Sequence, residues 1–183
     1  MNKFSRGACL KGYSRQERNM NKSEIERYFQ EYIFGFIKTD IQREIDLAAK
    51  GDDGGNFLAV LGLLCYTEFM GEIYLQKSNI SPSERFNAFF DYMGISYKKL
   101  REHLESKGIS VYHKFRCGMA HTYFAKNCTI YMSYRGNPET GIIDLSDGKY
   151  LFIIQKYFED FMAASKRLYD ELIAKENITL PLT

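Results

Sequence analysis

The sequence lacks every feature that would commit it to a membrane, a metal or an export route. Its longest wholly apolar run, Phe57 to Tyr66, ends after ten residues at Thr67 and Glu68. A bilayer-spanning helix needs roughly 20 such residues, so no membrane protein is expected. The four cysteines, Cys9, Cys65, Cys117 and Cys128, form no C-x-x-C pair, and the three histidines form no cluster at zinc-ligand spacing. The expectation is of reduced thiols in a cytoplasmic protein, with neither a metal nor a cofactor. A formal charge of +2 gives no excess of one sign, so nothing implies a surface that broadly coats nucleic acid, any RNA contact has to be local, and charge neither supports nor excludes RNA. There is no internal repeat and no low-complexity segment.

What is present is apolar and aromatic. Hydrophobic residues make up 45% of 183 residues and aromatic ones 15%, enough to build one well-buried core and too much for a disordered chain. Residues 1–22 stand apart. Lys3, Arg6, Lys11, Arg15, Arg18 and Lys22 face only Glu17 there, without the apolar stretch of a secretory signal. They read as a basic flexible arm, either touching RNA or an acidic partner or simply solvated. Met20-Asn21-Lys22 repeats Met1-Asn2-Lys3, which leaves a second translation start open.

Residues 23–183 read as a single domain. Ser23 and Glu26 stand at capping-box spacing, and Ile25, Tyr28, Phe29, Tyr32, Ile33, Phe36, Ile37, Ile41 and Ile45 follow at helical intervals, predicting a helix over 23–50. The glycines of 51–55 stop it. Residues 56–76 are apolar on all sides, as in a helix at the centre of a bundle. Ser81-Pro82-Ser83-Glu84 starts a third helix, a short one spans 96–106 up to Gly108, and another begins near Ser110. Residues 129–134 and 141–145 then read as the two strands of a β-hairpin. From Leu151 to about Glu176 a last long helix is expected. The fold class is mainly α, a bundle of four to five helices with a small β-hairpin between the fifth segment and the C-terminal helix.

The helix beginning near Ser110 carries Arg116-Cys117-Gly118-Met119-Ala120-His121-Thr122-Tyr123. It places a permanently charged guanidinium, an imidazole that titrates near neutrality and a phenol within about two helical turns. Arg followed five residues later by His, and then by Tyr two further on, resembles the signature of the HEPN superfamily. These are helical-bundle proteins that include many metal-independent ribonucleases and toxins. The resemblance covers about residues 23–176, with its specific part confined to residues 116–123. It implies an endoribonuclease in a toxin–antitoxin or phage-defence setting, with Arg116 and His121 catalytic and a homodimer that assembles one composite site from two motifs. It also makes Tyr123 a candidate for modification by a nucleotidyltransferase-type antitoxin, although the hairpin after the motif departs from the minimal HEPN toxins. Tyr123 is otherwise a structural phenol. The alternative is a non-catalytic HEPN-like module that binds a nucleotide, RNA or a partner protein.

The chemistry fits the residues. Cleaving RNA without a metal needs a base for the 2′-hydroxyl, positive charge on the phosphate and an acid for the leaving oxygen. His121 serves as base or acid, and Arg116 as a bidentate phosphate ligand. One imidazole does not readily do both proton transfers, which is where the second subunit enters. On a regular α-helix His121 points about 140° away from Arg116, so either the arginine wraps round or the helix is distorted near Gly118. Glu68 and Glu72, at i and i+4 on the central helix, repel each other. One of them is expected to be exposed, or Glu68 faces the motif and pairs with Arg116 or His121. His113 either joins a basic face with Lys114 or is solvated, and His103 reads as surface. Cys117 is either a reactive thiol or a small apolar filler.

Overall fold

A computed structural model describes residues 16–50, 56–77, 79–122, 126–175 and 178–182. The fold is mainly helical, with six helices among the described residues where four to five were expected. Helix α1 covers residues 22–49 without a break, although its middle third, Phe29–Ile37, is wound as a π-helix between the α-helical Lys22–Tyr28 and Lys38–Ala49. The buried residues explain the change of winding. Ile25, Phe29, Ile33, Ile37, Ile41 and Ile45 recur at intervals of four. In an α-helix each step of four overshoots a full turn by about 40°, so a stripe of that period would wind off the core. A wider i→i+5 turn makes four residues fall short of a full turn and brings the stripe back.

Asn21 caps α1. Its side chain accepts from the Glu24 amide at 3.0 Å, and the Glu24 carboxylate accepts from the Asn21 amide at 3.0 Å. This capping box lies two residues before the expected one at Ser23, because strand β1, Gln16–Met20, runs up to Asn21 and leaves it extended. β1 pairs antiparallel with β5, Ile178–Leu182. Residues 16–20 of the expected arm therefore belong to a two-stranded sheet, with Met20 buried. Residues 1–15, and the turn expected at 51–55, lie outside the described residues.

Helix α2, Asn56–Leu75, is the centre of the bundle. It runs past Thr67 to 20 residues, with the length and apolar character of a membrane span, and about half of it is buried in the bundle. α3, Pro82–Tyr92, starts as expected, with Ser81 accepting from the Glu84 amide at 3.2 Å. α4, Ile95–Ser106, ends on Gly108, whose φ of +75° suits a residue without Cβ. α5 then combines a π segment, Tyr112–Cys117, with the α-helical turn Gly118–Thr122.

A hairpin does follow α5, but its partners differ from the expected ones. β3, Ile142–Asp144, pairs antiparallel with β4, Tyr150–Ile153, across the Asp147-Gly148 turn. β2, Cys128–Tyr131, lies on the other edge of β4 and parallel to it. Leu151 to Ile153, expected in the last helix, are strand instead, since one unbroken apolar run serves strand and helix alike and periodicity does not separate them. The chain leaves the strand at Ile153, still extended, and enters α6, Ile154–Ile173, at the next residue. α6 lays Tyr157, Phe158, Phe161, Ala164, Leu168 and Leu172 into the core.

Candidate functional site

The site is built where α2, α3 and α5 meet. Gly71 of α2 sits so close to α3 that a Cβ there would lie 1.8 Å from the Arg85 carbonyl oxygen. Only a residue without a side chain permits that crossing. It fixes the backbone of Arg85 against the part of α2 that carries Glu68 and Glu72. The guanidinium then bridges both carboxylates, with Nη1 2.7 Å from Glu72 Oε2 and Nη2 3.3 Å from Glu68 Oε1. Neither glutamate is exposed as an unpaired surface charge. The repulsion expected between them is relieved by a cation held between the two.

The second oxygen of Glu68 reaches α5. Its Oε2 accepts from Arg116 Nε at 2.8 Å, which joins two residues 48 apart in sequence. Among the described residues this is the hydrogen bond that Arg116 donates, so the Nη edge of its fork is left for another partner. Burial pulls the Arg116 pKa down, but the Cys65 thiol, the Glu68 carboxylate and the Tyr112 phenol around it prevail and raise it. Its charge is constant across the physiological range. Burial likewise pushes the Cys65 thiol up, and burial followed by the Glu68 carboxylate pushes the Tyr112 phenol up to about 12. The Cys117 thiol, five residues on, adds to the rise in the Tyr112 phenol.

The π segment changes the geometry expected of the motif. Val111, Phe115 and Met119 are buried at intervals of four, the same signature as in α1. Tyr112, Arg116 and Ala120 form the adjoining half-buried stripe, and His113, Cys117 and His121 form the next. Only the start of the interval from Arg116 to His121 is π-wound, which brings the two somewhat nearer than the roughly 140° of a regular α-helix, with His121 on the neighbouring and more exposed stripe. The α-helical winding resumes at Gly118, which itself has ordinary helical dihedrals, φ −56° and ψ −48°.

The His121 side chain is exposed and makes no hydrogen bond or ion pair with another described residue. His113 is exposed beside the Tyr112 ring, with centroids 5.3 Å apart. Its neighbour Lys114 is committed elsewhere, to the Lys126 carbonyl at 2.6 Å and to the Tyr150 ring face. Tyr123 lies outside the described residues. His103 is on the surface, 3.5 Å from Asp144. Cys65, Cys117 and Cys128 are free and half-buried, and among the described residues no three His, Cys, Asp or Glu side chains are placed to hold a metal ion.

Arg85 is the residue that sequence reasoning missed. Its signal was present: it stands four before Phe89 on the stripe that α3 buries, a cation among phenylalanines. Two glutamates one turn apart on an otherwise apolar helix required such a counter-charge. No family model, no curated protein and no solved structure matches the chain.

Proposed function

We propose that the chain is a HEPN-like endoribonuclease of the cytoplasm, cleaving RNA by attack of the 2′-hydroxyl on the adjacent phosphate. The observation that carries this reading is an exposed imidazole, His121, one stripe away from an arginine whose Nε is anchored and whose Nη edge is open among the described residues. Arg116 holds two phosphate oxygens through that edge and stabilises the charge that grows on them in the transition state. A base takes the 2′-hydroxyl proton, the oxygen bonds to phosphorus, and the 5′-oxygen leaves with a proton from an acid. The products are a 2′,3′-cyclic phosphate and a free 5′-hydroxyl. His121 performs one transfer, and the His121 of a second copy performs the other in a two-fold dimer. A π-helical turn is a common device at functional sites, and here it carries Arg116. The reading extends to a toxin or phage-defence role, with Tyr123 as the position a nucleotidyltransferase-type antitoxin would modify.

The Glu68 contact also favours a second reading, because it offsets the charge of Arg116. In that case the domain binds a nucleotide, RNA or a partner protein without cleaving. Incubation of purified protein with mixed RNA in EDTA separates the two. Cleavage by the wild type that falls about 100-fold or more in His121→Ala and Arg116→Ala supports the nuclease. Equal cleavage by all three proteins places the activity elsewhere, and RNA retention without cleavage by any supports the binding module.

A further inference from the structure

We propose that Arg85 is a positioning residue for Arg116, acting through Glu68, an inference that rests on the reading of Arg116 as the phosphate-binding group. Four charges form one line, Glu72 to Arg85 to Glu68 to Arg116, with successive contacts of 2.7, 3.3 and 2.8 Å. Side-chain exposure changes along it: 6% at Glu72, 10% at Arg85, 15% at Glu68 and 22% at Arg116. The line therefore starts in the core and ends on the guanidinium nearest to solvent.

Each link does a different job. Glu68 binds a different arginine with each oxygen, which fixes the plane of its carboxylate and so the direction of its bond to Arg116 Nε. Without Arg85 that carboxylate would rotate freely, or would chelate the Nη edge of Arg116 and close the fork against phosphate. Glu72 holds the far side of Arg85, and the glycine crossing at Gly71 prevents the Arg85 backbone from yielding. The arrangement is costly as mere packing, since Arg85 Nε is buried without a hydrogen-bond partner among the described residues and buried ion pairs are often replaced by apolar side chains without loss. A contact that only joined α2 to α3 would not need it. The line also balances two carboxylates against two guanidinia, so Arg116 would recognise phosphate through directed donors more than through net charge.

The test uses the charge-neutral double variant Arg85→Met/Glu72→Met, which removes the inner half of the line and keeps Glu68 against Arg116. Two measurements on the full-length protein are compared with wild type. By NMR, solvent exchange of the Arg116 Nε–H, identified by its loss in Arg116→Lys, is expected to accelerate at least about 10-fold in the double variant. In single-turnover cleavage of a labelled single-stranded RNA in EDTA, the rate constant is expected to fall about 10- to 100-fold while the Kd for the RNA changes less than about 2-fold. Unchanged exchange of the Nε–H overturns the proposal whatever the activity, and so does a wild-type cleavage rate in the double variant when Arg116→Ala is inactive. If Arg116→Ala cleaves normally, the phosphate-binding reading itself fails. An accelerated exchange then still establishes that Arg85 positions Arg116.

Discussion

Two polar seams run through the bundle, and they are built on opposite principles. One is the ionic line from Glu72 to Arg116. The other is neutral at its centre: Tyr97 donates to Asp160 at 2.7 Å and accepts from the Gly141 amide at 2.8 Å, while the Tyr157 hydroxyl meets Thr67, which donates to the Leu63 carbonyl at 2.8 Å. Both depend on a glycine at a close approach, Gly71 against Arg85 and Gly141 against Tyr157. The neutral seam closes on itself, with Lys156 completing Asp160 at 2.7 Å. The ionic seam ends on a fork whose outer donors are open among the described residues. A polar network that serves only stability satisfies its members internally, whereas one that serves a ligand stops one partner short.

The contrast is broken most severely by Arg85→Ala. It leaves the buried Glu72 and the half-buried Glu68 without their shared cation, and the stability measured in urea is expected to drop by about 3–5 kcal/mol. Alkali attacks the neutral seam instead. Burial raises the Tyr97 and Tyr157 phenols well above their ordinary range, so above pH 10 the unfolded chain loses these protons while the folded chain keeps them. Stability is fully present below pH 10 and falls as pH rises beyond it, by about 1.4 kcal/mol per unit for each phenol. From these two phenols alone, stability measured by melts at pH 11 is expected to be about 3 kcal/mol lower than at pH 9, and Tyr97→Phe is expected to remove about half of that difference.

Smaller changes sharpen the comparison. Tyr97→Phe leaves the Gly141 amide without its acceptor and is expected to cost about 1–3 kcal/mol. Tyr157→Phe costs about 0.5–1.5 kcal/mol, because Thr67 keeps its bond to Leu63. Neither tyrosine variant is expected to change RNA cleavage, and a large loss of activity in either would erase the distinction between the seams. The smallest effect is expected of His121→Ala on stability, within about 0.5 kcal/mol by thermal melting, since the side chain is exposed.

Much of the helical order was legible because apolar periodicity and caps are local signals. Ser81-Pro82 and Gly108 mark helix ends from chemistry that a few residues contain. The pairing of β2 with β4 was not legible, since strand order depends on which edge packs against α2, and nothing in residues 128–131 encodes it. The strand at Gln16–Met20 was hidden by its charges, and its partner Ile178–Leu182 lies at the other end of the chain. Within the site, the contact between Glu68 and Arg116 could be posed as an alternative from sequence, but the role of Arg85 depends on the crossing at Gly71. The exact four-residue repeat of Ile25, Phe29, Ile33 and Ile37 was visible all along, and only its match to a π segment gives it meaning.

That repeat also alters what a motif spacing measures. Where winding alternates between α and π, residue count and angle come apart, and five positions from Arg116 to His121 subtend an angle intermediate between plain α-helical spacings of four and five, about 40° and 140°. Deleting a single residue from 112–115 would leave the motif letters intact and favour ordinary α winding. Five residues of α winding sweep about the same angle as six of π winding, so Arg116 would keep its place against Glu68 and the helix would lose only the widened turn before it.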